Sequence, residues 1–339
     1  MMGMILGGEI TSALTTFAGL GLALILEGDG AEHVRLGWTD AAEPRMVVTA
    51  DGYDDEAVAT AVYQHALSLA DSESWPQINL DRKPWVNNKG KMTSAAMSPC
   101  IAPPNREEEW EYLDDLRNKI IDRCLFGNES GVNLELIGAL GRPAYWCGKK
   151  GNSSPDLGAS RYDMEVRRSG RNLVHEKIAP LACFIAERSV EEISAGLRGV
   201  RINRRKVGGK GRPRDSAGLT PPGCVDSSLV WAALWGISSF PVVHRVNRCS
   251  VSAGAIPSGE REPLNVVVPA VVGGYSLHRW RALIVSSQLA CWQDREESSL
   301  GWLRRHGVRA VIVFNVNVIR LRAPSPDEFY LGAGDVCPL

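Results

Sequence analysis

Along the first seventy residues, apolar and polar positions alternate in a regular way. Met4 to Leu6 is a short apolar run closed by Gly7-Gly8, which reads as a strand and a turn. Thr11 to Leu26 is uncharged and apolar on every side. Such a helix, expected from about Ile10, has no face for water and belongs inside the protein. His33 to Trp38 and Arg45 to Ala50 read as two strands separated by the turn-rich TDAAEP. Asp54 and Asp55 open a helix to about Ala70 that places Val58, Val62, Ala66 and Leu69 on one face.

Beyond that unit the pattern is interrupted more often. Residues 72–105 hold five prolines and few periodic apolar positions, and read as a long connector. A helix is expected from about Arg106 to Cys124. Its early glutamates and late Arg117, Lys119 and Arg123 complement the helix dipole, and Trp110, Leu113, Leu116 and Ile120 form its apolar stripe. After a Gly/Ser/Asn-rich loop at Cys147 to Arg161, helices are expected at Asn172 to Ala186 and Val190 to Leu197. Ser227 to Ser239 reads as a buried helix carrying Trp231 and Trp235. Strands follow at Val242 to Val246, Asn265 to Val272 and Val308 to Arg322, with a helix between from about Arg281 to Ser298. These elements predict an α+β protein. A mixed α/β lobe with its long loop occupies residues 1–104, and a larger α+β lobe with a flexible loop at 198–224 occupies residues 105–339.

A chain of 339 residues, 44% hydrophobic and with ten tryptophans, has the means to bury a substantial core. The eight cysteines are scattered with no CxxC pair, which excludes a zinc ribbon and a dense disulfide framework and fits reduced thiols in the cytoplasm. The apolar run at 11–26 is short for a membrane span and lacks the positive charge that precedes a secretory signal, so no membrane association is expected.

Charge changes the picture most. The formal net charge of −1 conceals 9 basic and 19 acidic residues in positions 1–120, against 29 basic and 20 acidic in positions 121–339. Such asymmetry is a mark of nucleic-acid binding or of an acidic face docking a basic partner. Within the basic part, Arg198 to Arg214 carries eight Lys or Arg and no acid, and its glycines and Pro213 break any helix. Arg201, Arg204, Arg205, Lys206, Lys210, Arg212 and Arg214 therefore stand as candidate phosphate contacts. Lys149, Lys150 and Arg161, followed by Arg167, Arg168 and Arg171, form a second set. Trp85, Asn88, Lys89 and Lys91 combine a stacking ring, an amide that reads base edges and phosphate-binding amines; Trp85 serves equally well as a plug onto the core.

Motifs for catalysis are sparse. His175-Glu176 begins like HExxH but lacks the second histidine, GGYSLH at 273–278 lacks the closing glycine of a nucleophile elbow, and no Walker motif or GxGxxG follows a strand. Asp163 and Glu165 lie beside basic residues and are expected to pair with arginines. No cofactor or metal is expected. His244-Arg245, His278-Arg279 and Arg305-His306 keep open a metal-independent RNA cleavage, with histidine moving the proton and arginine stabilising the phosphorane. A protein-docking module that touches no nucleic acid is the remaining alternative.

The N-terminal run from Leu6 to Val48 resembles the opening of CRISPR-associated effector proteins of type I-U (now I-G) systems, on Ala18 to Leu26, Val34 to Trp38 and Asp54 to Glu56. Pro84-Trp85-Val86-Asn87, GASRYD at 158–163 and WAALWGISSFPVVHR at 231–245 are similar to later stretches of the same proteins. The resemblance covers roughly a third of the chain. It implies a non-catalytic subunit, either a reduced large subunit or an accessory protein, of an RNA-guided surveillance complex in antiviral defence. Guide RNA or target DNA and the other effector subunits would be its partners. In such complexes base pairing reads sequence while protein holds backbones and a short flanking motif.

Overall fold

The computed structural model describes residues 3–78, 97–99, 107–127, 130–142, 159–164, 173–202, 217–223, 225–244, 250–257, 264–320 and 328–339. Its helices are α1 (Ala13–Gly28), α2 (Asp55–Ala70), α3 (Glu107–Phe126), α4 (Gly131–Leu140), α5 (Ala179–Ala186), α6 (Val190–Leu197), α7 (Ser227–Gly236), α8 (Leu277–Ile284), α9 (Ser287–Ala290) and α10 (Glu297–Arg305). Its strands are β1 (Met4–Ile5), β2 (Arg35–Trp38), β3 (Met46–Thr49), β4 (Val242–His244), β5 (Ser250–Ser252), β6 (Ala255–Pro257), β7 (Leu264–Val271), β8 (Val308–Ile319) and β9 (Glu328–Pro338). The fold is α+β, as the alternation of periods predicts.

The centre is a helix pair. Ser12 caps α1 by accepting the Thr15 backbone N–H, and every residue from Ala13 to Leu26 is buried. Asp226 caps α7 through the Ser228 N–H, and all ten residues of α7 are buried. Because neither helix needs a wet face, the two pack against each other at the closest range their sequences permit. A Cβ at Gly21 would overlap the carbonyl oxygen of Ala232, and one at Gly236 would overlap that of Phe17. Glycine at both points sets the interaxial distance. Phe17 also stacks on Phe240, with ring centroids 4.3 Å apart.

Two layers cover this pair. An antiparallel sheet of order β1-β3-β2 lies on α1, and α2 packs beside it, its N-terminus capped by Asp54. A four-stranded antiparallel meander, β6-β7-β8-β9, supplies the second layer, and β4 pairs with β5 separately. Leu36 and Tyr275 exchange two backbone hydrogen bonds of 2.8 Å, which tie β2 to the residues following β7. One hydrophobic core thus runs from Met4 to Leu331 and crosses residue 104, so the acidic and basic parts differ in charge while sharing a core.

Three elements depart from the expected pattern. The segment Arg281 to Ser298 is not one helix. Ser286 caps a new helix by accepting the Leu289 N–H, and Arg295 takes a left-handed φ of 54°, so the chain breaks twice and α10 begins only at Glu297. The helix expected at 172–186 opens with a π-helical turn at Val174–Ile178. Pro180 has no N–H for the Glu176 carbonyl, and the Ala179 N–H reaches back to Val174 instead. The strand expected at 308–322 ends at Ile319, and its pairing with β9 shifts between Phe314 and Val316.

Candidate nucleic-acid interface

Most of the sequence-derived candidates fall outside the described residues: Trp85, Asn88, Lys89 and Lys91 in 79–96, Lys149 and Lys150 in 143–158, Arg167, Arg168 and Arg171 in 165–172, and Arg204, Arg205, Lys206, Lys210, Arg212 and Arg214 in 203–216. Arg161 and Arg201 are described. Arg161 is half-buried and its backbone N–H donates to Ser252 Oγ at 2.8 Å. Arg201 is exposed.

The described residues that bracket these four segments meet one another. Before residue 79, the Pro76 carbonyl accepts a hydrogen bond from His175 Nδ1 at 3.0 Å, and Gln77 Nε2 donates to the Ala179 carbonyl at 2.8 Å. After residue 96, Ser98 Oγ accepts the Val174 N–H at 3.2 Å. Both brackets of 79–96 therefore rest on the π-helical turn that follows 165–172. Residues 143–158 are bracketed by Gly141 and Ala159, which form a bridge, and the Ser160 N–H donates to the Leu140 carbonyl at 2.9 Å. Met164, just before 165–172, donates its N–H at 3.2 Å to the carbonyl of Ala217, just after 203–216. Residues 159–164 then connect the second and third segments directly. The four bracketed segments carry fifteen Lys and Arg against four acids.

The described residues of this strip are held by buried contacts. Arg188 grips Asp226 bidentately, Nη1 to Oδ1 at 2.7 Å and Nη2 to Oδ2 at 3.1 Å, and Arg188 Nη1 also reaches Ser228 Oγ at 2.7 Å. Both side chains are buried. Asp226 Oδ2 in turn accepts the Ile202 N–H at 3.0 Å, so the residue before 203–216 is fastened to the cap of α7. Tyr162 is fully buried and donates its hydroxyl to the Ala253 carbonyl at 2.7 Å. Burial pushes Asp163 up to about 7, with Lys177 pulling against that rise and Glu176 adding to it. Lys177 and Glu176 are the described charges that act on Asp163; Glu165 and the neighbouring Arg167, Arg168 and Arg171 of the pairing expected from sequence lie outside the described residues.

Of the three histidine–arginine dipeptides, His278-Arg279 and Arg305-His306 lie among the described residues. The side chain of His244 is outside the described residues. His278 lies exposed on α8, and its charge lowers the affinity of Glu27 for a proton, which burial raises more. His306 closes α10 and stacks on Trp302. Among the described residues no group of three His, Cys, Asp or Glu side chains is placed to hold a metal ion, and no helix is long and apolar enough to cross a membrane. Compared with protein-family models and with curated proteins, the chain matches none.

Proposed function

We propose that this chain is a non-catalytic nucleic-acid-binding protein, and that its setting is the cytoplasmic RNA-guided CRISPR surveillance complex its sequence resembles, with guide RNA or target DNA and neighbouring effector subunits as partners. One observation carries the reading: four segments that together hold fifteen Lys and Arg against four acids are bracketed by described residues joined through hydrogen bonds or through the short run 159–164. A cationic excess spread over several segments suits a polyanion, whose phosphates reward number and spread of cations more than any single pocket.

The test is binding of the purified chain to labelled single- and double-stranded RNA and DNA across a salt series in EDTA, with the products run on a denaturing gel. Salt-sensitive binding without cleavage is the expected result. Replacing Arg204, Arg205 and Lys206 together by alanine should weaken binding on every sequence and reduce the slope of log K against log salt by about two. An unchanged slope removes the 203–216 segment from the interface. Cleavage in EDTA would replace the proposal with the endonuclease reading, and failure of every probe to bind at low salt would leave a docking role.

A further inference from the structure

We propose that the C-terminal end of α10 and the start of α8 form a stacking site for an unpaired nucleobase, separate from the strip described above. The inference rests on the reading of the chain as a nucleic-acid-binding protein, and names residues and a ligand form which that reading does not.

Trp302, Arg305 and His306 stand at i, i+3 and i+4 on α10 and so share one face. The His306 ring lies on the Trp302 indole, with centroids 3.8 Å apart and planes 24° from parallel. Its orientation is fixed, because Nδ1 donates to the Trp302 carbonyl at 2.8 Å. Trp302 is half-buried while His306 is exposed, so the outer face of the imidazole is the open end of a two-ring stack. Nε2 has no partner among the described residues.

A second pair adjoins the first. The Arg279 guanidinium lies 4.3 Å from the centroid of the Tyr275 ring, and its Nη2 reaches the Tyr275 hydroxyl at 3.3 Å. Gly307, the residue after His306, holds a φ of 77° and sits so close that a Cβ there would meet Tyr275 Oη at 2.9 Å. The turn out of α10 is thereby seated on the Tyr275–Arg279 pair. Around this point Arg281 is engaged by Glu135 and Arg304 by Glu297, whereas Arg279, Arg305 and Arg309 are exposed and make no ion pair with a described acid.

Two ordered rings ending in an open face, with the Arg279 guanidinium held on the adjoining Tyr275 and the exposed Arg305 and Arg309 next to the stack in sequence, match a base and its flanking phosphates. A duplex offers no free base face, and a simple anion has no use for the rings. The ligand is therefore single-stranded RNA or DNA with a base continuing the His306–Trp302 stack and phosphates on Arg279, Arg305 and Arg309.

The test compares the full chain with the His306→Ala, His306→Phe and Arg305→Ala variants on three fluorescein-labelled probes of equal length: a single-stranded oligonucleotide, its abasic counterpart and a duplex. His306→Ala should weaken binding of the single strand about tenfold, the loss of one stacked base. His306→Phe, which keeps a ring, should stay within about twofold of the parent, and the abasic and duplex probes should not register the His306→Ala change. Arg305→Ala should weaken the single strand and its abasic counterpart alike. Equal binding of the base-bearing strand by parent and His306→Ala overturns the proposal, as does an equal loss on all three probes, which would mark a purely electrostatic surface. If the Arg204, Arg205 and Lys206 replacement weakens every probe while His306→Ala weakens none, this site falls and the basic strip stands. If no probe binds the parent, both fall.

Discussion

Arginine appears in two opposite settings in this protein. Arg188 is buried, with both terminal nitrogens committed to Asp226 and one also to Ser228, and its task is to hold the cap of α7 against the chain entering residues 203–216. Arg279 and Arg305 are exposed and make no ion pair with a described acid, and Arg279 lies over the Tyr275 ring. The first setting exhausts the guanidinium in building the fold; the second leaves it free to meet a ligand. The difference teaches that basic residues in this chain occupy two kinds of setting, and that counting Lys and Arg alone merges them.

Breaking the buried pair should have the largest effect. Arg188→Ala leaves the Asp226 carboxylate buried without its cation and should cost about 3–5 kcal/mol in urea unfolding. By contrast, Arg305→Ala in the same experiment should change stability by less than about 0.5 kcal/mol. Similar losses for the two variants would erase the distinction between structural and uncommitted arginines.

Gly21→Ala comes next. The new methyl group must push α7 away from α1 at the Ala232 carbonyl, and overpacking of this kind costs about 1–3 kcal/mol. Gly30→Ala is the matched control for crowding, since nothing lies within 4 Å of a Cβ at Gly30, although its φ of 89° carries its own backbone strain. A Gly21→Ala protein as stable as the parent would show that the helix pair tolerates a wider spacing.

The smallest effect concerns a histidine that does for the core what His306 does not. His65 Nδ1 accepts the Trp231 indole N–H at 3.2 Å, Trp235 meets its ring edge-on, and its Nε2 is shielded from water. Desolvation lowers its pKa to about 3. The folded state thus binds a proton less readily than the unfolded chain. Its contribution to stability is complete above the ordinary histidine value of 6.5 and is lost as pH falls toward 3. Between pH 6.5 and 5 the loss should amount to about 1 kcal/mol, with partial solvent screening of the half-buried ring taken into account. Thermal unfolding from pH 7.5 to 5 should show the decline in the parent and a flatter profile in His65→Gln. Parallel profiles would mean that His65 titrates normally.

Much of the fold follows from local pattern. The caps at Asp54 and Ser189, the apolar faces of α2 and α6 and the strands at 35–38 and 46–49 all depend on neighbours within about four residues or on simple alternation. Local pattern failed where two signals competed. The stretch 277–305 has enough apolar residues for one long helix, but its serine caps and the left-handed Arg295 divide it. The strand β9 and the short helix α4 were not foreseen, because a half-apolar run carries little period of its own and becomes regular by pairing with β8 or by packing on the core. Arg305 and His306 were visible as a dipeptide, whereas their partnership with Trp302, Gly307 and the Tyr275–Arg279 pair was not.

The sequence by itself determined the α+β class, the all-round apolar character of α1 and α7 and the concentration of positive charge after residue 120. Those are properties of composition and of short-range periodicity, which no partner has to supply. Only the tertiary structure decided that Pro76 and Ser98 rest on the turn at Val174–Ile178, that Met164 meets Ala217, that Asp226 holds Ile202 to α7, and that Gly307 seats α10 on Tyr275. Each of these is a hydrogen bond or close approach between residues tens of positions apart, and its existence depends on how buried helices and strands pack.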